Sequence, residues 1–60
     1  MSRKDYILLA GALKSTKPFA QHSDALAVWT LTVNAIAYQL AGDSAEFNRT
    51  RFLSACGVES

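Results

Sequence analysis

Eighteen consecutive residues, 25–42, carry no charged side chain, and any fold of this chain has to accommodate them. As a helix rising ~1.5 Å per residue, the stretch makes a rod about 27 Å long. Apolar residues run through it in two phases. Leu26, Trp29, Val33, Ile36 and Leu40 step by three and four and draw one continuous seam. Ala27, Val28, Leu31, Ala35 and Tyr38 project onto a second face, and only uncharged Thr30, Thr32, Asn34 and Gln39 lie between the two. A helix with so little polar surface is usually buried on most sides. The pattern therefore predicts a central, largely buried helix over residues 24–41, capped by Ser23 or Asp24 and stopped by Gly42. A membrane-spanning reading is rejected, because a span prefers ~20 predominantly apolar residues and this segment has polar members and the caps of a soluble helix.

Two further helices flank this segment. The first is expected over residues 3–16, with Ser2 as N-cap and Asp5 three residues later in capping-box spacing. Tyr6, Leu9, Ala10 and Leu13 form its apolar stripe, Ile7 and Leu8 flank that stripe, and Lys17-Pro18 ends the helix. Phe19 in the following loop is expected to tuck under the core. The third helix is expected over residues 49–56, with Asn48 as N-cap and Gly57 as stop. Phe47 and Phe52 have the spacing of a hydrophobic staple across its start. Phe52, Leu53, Ala55 and Cys56 make its buried side, and Val58-Glu59-Ser60 reads as a frayed tail. The fold class is thus all-α, a compact bundle of about three helices in one domain, residues 1–60.

Sixty residues bury a marginal core, so a staple is expected. One cysteine and one histidine exclude an internal disulfide and a four-ligand zinc site from a single chain, which leaves helix packing, self-association or a partner. Net charge is +1, so no global field draws the chain to nucleic acid or to membrane. Arg3-Lys4 followed by residues 6–13 makes a poor signal peptide, since Asp5 and Lys14 bracket a short apolar run. The default location is cytoplasmic.

Catalysis finds little support. His22 and Cys56 are the only nucleophile–base pair in the sequence, and neither sits in a local motif. Asp5, Asp24, Asp43 and Glu46 lie at helix starts, where the macrodipole explains them. Asn48-Arg49-Thr50 matches a glycosylation sequon but is better read as a helix cap. The chain is read as a non-enzyme without cofactor or metal. Its charges are grouped: Arg3, Lys14 and Lys17 project to one side of the first helix, Arg49 and Arg51 lie on the third, and Asp43 and Glu46 stand at the junction between the second and third. These seven residues are the expected partner-binding set. Arg49 and Arg51 alternatively suit phosphate contacts in a small nucleic-acid-binding regulator, although the first linker is too long for a helix-turn-helix. Val28, Leu31, Ala35 and Tyr38 are the expected contact of a homo-oligomer.

Ser2-Arg3-Lys4-Asp5-Tyr6, with Leu9-Ala10 and Leu13-Lys14 after it, resembles the start of many very short proteins encoded by bacteriophages and prophages. Residues 47–57, Phe-Asn-Arg-Thr-Arg-Phe-Leu-Ser-Ala-Cys-Gly, resemble their ending. Together the segments cover somewhat under half of the chain. The middle shares only an Ala- and Leu-rich character with them. The resemblance implies a phage-derived accessory protein, and the small size, the lack of catalytic motifs and the apolar second face of the middle helix lead to the expectation that it inhibits a host complex by direct protein contact. Anti-CRISPR binding of a Cas subunit is its most concrete form.

Overall fold

The computed structural model describes residues 2–58 and contains, among them, three α-helices and no strand: α1 (Arg3–Ser15), α2 (Ser23–Asp43) and α3 (Arg49–Cys56). The all-α class follows as expected. The ends of α1 and α3 are set by the residues that sequence chemistry assigns to them. Asp5 reaches back to the start of α1, where its carboxylate accepts from the Ser2 N–H at 3.0 Å and from the Ser2 hydroxyl at 3.1 Å. The Asn48 side chain accepts from the Arg51 N–H at 3.0 Å and caps α3. Phe47 and Phe52 meet across that cap with ring centroids 5.3 Å apart, completing the staple.

Gly57 ends α3 with φ at 89°, in the left-handed region that glycine enters without penalty. Its N–H donates to Ser54 O and the Val58 N–H donates to Leu53 O, both at 3.0 Å, which is the paired closure of a Schellman motif. Val58 is therefore not the start of a frayed tail: it is half-buried and packs against the core. Glu59 and Ser60, the rest of that expected tail, lie outside the described residues. Gly42 does not stop α2. The helix continues through it to Asp43, and the extended backbone of Ser44 makes the break.

The arrangement differs from a bundle wrapped around α2. The shortest helix, α3, is the hub and packs against both α1 and α2, while α1 and α2 contact each other only weakly. Their joint is the Trp29 Nε1–H, which donates to the Leu13 carbonyl at 3.0 Å. The core consists of Ala10 from α1, Trp29, Val33 and Ala37 from α2, and Phe52 and Cys56 from α3. Tyr6, Leu13, Leu26, Ile36, Leu40, Phe47 and Leu53 pack around it.

The expectation of a largely buried α2 fails on length. At ~1.5 Å per residue α3 spans about 12 Å and α1 about 20 Å, against about 31 Å for α2. Two short helices cover one side of such a rod and cannot enclose it. The seam through Trp29 and Val33 is covered, whereas Val28, Leu31 and Tyr38 are 64%, 72% and 68% exposed. By length and composition α2 would suffice to cross a membrane, with mean hydropathy 1.2 in its most apolar window, of which 17% is buried. Phe19 also departs from expectation. It is exposed and lies beside the His22 ring instead of under the core.

Candidate functional site

A groove of about 510 Å³ runs between α1 and α3 and is bordered by the connection after α2. It forms because α1 meets α3 through small Ala10, while bulky Tyr6, Phe47 and Phe52 hold the backbones apart beside it. The three rings stack in sequence. Tyr6 and Phe47 lie 4.8 Å apart at 56° between planes, and Phe47 and Phe52 repeat that tilt at 5.3 Å. Tilted pairs at these separations are mutually favourable, so the floor is a rigid aromatic surface. A turn in which the Phe47 N–H donates to Ser44 O at 3.2 Å fixes the wall that carries Glu46. Arg3 from α1, Arg51 from α3, Glu46, Asn48 and the exposed Ile7 complete the lining.

Of the seven partner-binding residues expected from sequence, the fold gathers Arg3, Glu46 and Arg51 around this groove. The other four lie elsewhere. Asp43 closes α2 and Arg49 opens α3, both exposed and outside the groove lining. Lys14 and Lys17 stand at the opposite end of α1 from Arg3, by Gly57, so the three cations do not make one patch. Lys17 has an internal role. Its ammonium donates to the Gly57 carbonyl and sits 5.7 Å from the centre of the Trp29 ring. A cation on a helix-terminal carbonyl and over an indole face is favourable on both counts. The lysine thus ties the α1 exit to the end of α3.

Sequence reasoning did not place Tyr6 at this site. Its helical stripe marked it as core, and the stripe alone does not reveal that one edge of the ring lines a groove. The aromatic staple was the available signal for Phe47.

The nucleophile–base pair expected from sequence, Cys56 and His22, does not line the groove. Cys56 is fully buried and burial pushes its thiol above the usual 9.0. It is a small apolar filler, since reactivity requires an accessible thiolate. His22 is exposed at the other end of the α1–α2 connection, as the N-cap of α2. Among the described residues no three His, Cys, Asp or Glu side chains converge in a metal-binding group. The arrangement can seat an apolar or aromatic side chain on the ring floor and a carboxylate between Arg3 and Arg51, with Glu46 selecting against a wholly anionic ligand. Comparison with family models, curated proteins and solved structures finds no match to this chain.

Proposed function

We propose that this chain is a small binding protein that acts by direct contact with another protein, through the groove between α1 and α3. The observation that carries the reading is the convergence of Arg3, Arg51 and Glu46 around a floor of Tyr6, Phe47 and Phe52. Aromatic anchors with arginines at their edge are the composition of protein–protein contact centres, and the groove volume suits a few side chains of a partner segment. Two arginines beside a glutamate fit a mixed protein surface better than a phosphate backbone, which favours unopposed cations. The resemblance of the two chain segments to short phage and prophage proteins supplies the concrete form of this reading: inhibition of a host defence complex, with a Cas subunit as the partner.

Ala55 lines the groove and is exposed, so a photo-crosslinking amino acid can be placed there without entering the core. In cells carrying a CRISPR system, the expected result is a discrete protein adduct that disappears in the Arg3→Glu/Arg51→Glu variant. An adduct of unchanged yield in that variant, or crosslinking to nucleic acid alone, would overturn the proposal. Identification of the adduct as a subunit of the defence complex, with rescue of phage plating, tests the concrete form.

A further inference from the structure

The outward face of α2 is a second seam. Val28, Leu31, Ala35, Tyr38 and Gly42 follow one another at steps of three, four, three and four, on the side of the helix opposite buried Trp29 and Val33. We infer that this seam pairs with the same seam of a second copy of the chain, in an antiparallel two-fold contact. This inference does not rest on the groove proposal, and either can fail without the other.

Three features of the face select the second copy. The first is size. In an antiparallel pair, residues of the first and second seam positions face each other across the axis. Val28 then meets Tyr38 of the second copy and Leu31 meets Ala35, with both pairs repeated by symmetry. Each layer joins a larger side chain to a smaller one, which is the condition for facing helices to interdigitate. A parallel pair would instead stack Tyr38 on Tyr38 and leave Ala35 facing Ala35 across a gap.

The second feature is charge. Nothing between Asp24 and Asp43 is ionised, so the seam can be dried without burying a charge. In this register Asp24 lies near Asp43 of the second copy at each exposed end, so the orientation is chosen by side-chain size and not by the acids. Of the polar residues bordering the seam, Thr32 and Asn34 turn a donor back onto their own helix, while Gln39 stands exposed beside it. Thr32 Oγ1 donates to Val28 O at 2.9 Å, and Asn34 Nδ2 donates to Thr30 O at 2.8 Å. Side chains satisfied in this way can border a dry contact at low cost.

The third feature is area. Val28, Leu31 and Tyr38 each expose about two thirds of their surface. With the flanking alanines and threonine they offer on the order of 500–600 Å² per copy, and an aromatic ring alone contributes ~150 Å² or more. Two copies then bury about 1,000–1,200 Å², at the lower edge of specific association. That area fits a dimer that forms and dissociates with concentration. It also fits a chain whose buried core, among the described residues, is six side chains and which gains a staple by pairing.

Sedimentation equilibrium of the full chain from about 1 to 500 μM tests the inference. The expected result is a monomer–dimer equilibrium that Leu31→Lys shifts at least ~30-fold toward monomer. Leu8→Lys, at a similarly exposed position on α1 (62%), should leave it unchanged. Tyr38→Glu repeats the test with a second exposed side chain, and circular dichroism verifies that each variant is folded. A chain that stays monomeric throughout, or a dimer insensitive to both α2 variants, overturns the inference. So does a monomer that co-floats with phosphatidylcholine vesicles, because the face would then belong to lipid.

Discussion

Exchanging Trp29 for phenylalanine probes the joint between α1 and α2. The indole is 9% exposed and its Nε1–H reaches the Leu13 carbonyl at 3.0 Å. Phenylalanine retains a flat ring and loses that donor together with the five-membered half of the indole. The Leu13 carbonyl is not stranded, because the Thr16 N–H (3.2 Å) and the Thr16 hydroxyl (3.0 Å) still donate to it. The lost hydrogen bond therefore costs about 0.5–1 kcal/mol, without the larger penalty of an orphaned buried acceptor. A residual void of ~40 Å³, at ~24 cal/mol per Å³, adds about 1 kcal/mol.

The sum, about 2 kcal/mol, is well below the ~3–5 kcal/mol for Trp29→Ala, which loses the whole ring. A chain of this length has on the order of 3–9 kcal/mol of total stability, so the phenylalanine variant stays folded while the alanine variant approaches unfolding. At ~4–8 °C per kcal/mol, Trp29→Phe should melt about 8–16 °C lower. Urea unfolding followed by far-UV circular dichroism is the suitable assay, because the substitution removes the only tryptophan. Protein concentration must be fixed, since any self-association adds to apparent stability. A Trp29→Phe variant within ~0.5 kcal/mol of the parent would refute the claim that this bond and ring hold the two long helices together.

Further consequences can be measured in the same way. Asn48→Ala removes the cap on the Arg51 N–H and should cost about 1 kcal/mol in urea unfolding. The two C-terminal glycines should behave oppositely. Gly57→Ala forces a side chain into φ 89° and should destabilise by about 1–2 kcal/mol. Gly42→Ala, inside α2 with open space at its Cβ position, should stabilise by up to ~1 kcal/mol. Cys56 gives a pH signature. Burial raises its thiol in the folded state, so the unfolded chain binds fewer protons once pH exceeds the usual 9.0. Its contribution is fully present below that pH and is lost as pH rises through the higher folded value. Parallel urea titrations from pH 7 to 10.5 should show the parent losing more stability than Cys56→Ala above about pH 9. Equal losses in the two proteins would contradict this assignment.

Local chemistry was legible where both partners are near in sequence. Ser2 with Asp5, Asn48 with the Arg51 amide, Phe47 with Phe52, and Gly57 at the end of α3 all act across five residues or fewer, and all stand where their spacing places them. The three–four repeat through Trp29 and Val33 was recognisable as one apolar face of a helix, although Val28, Leu31, Ala35 and Tyr38 repeat in the same way on the other. The groove was only partly legible. Arg3, Glu46 and Arg51 were named from charge, but their separation from Lys14 and Lys17 depends on how α1 lies along α3. Lys17 illustrates the limit: its carbonyl acceptor at Gly57 is forty residues away, and nothing local in either segment announces the other.

The order of residues alone determined three helices, the start of α1, both ends of α3, and the presence of two apolar seams on the middle helix, while both ends of α2 fell elsewhere than expected, at His22 and Ser44. It could not decide which seam is covered, because periodicity measures the sidedness of a helix and is blind to the length of its neighbours. Tertiary structure decided that point by geometry: α3, the shortest element, wedges between the other two and turns Trp29 inward. One face of a long rod is thereby sealed, and Val28, Leu31 and Tyr38 are left facing solvent.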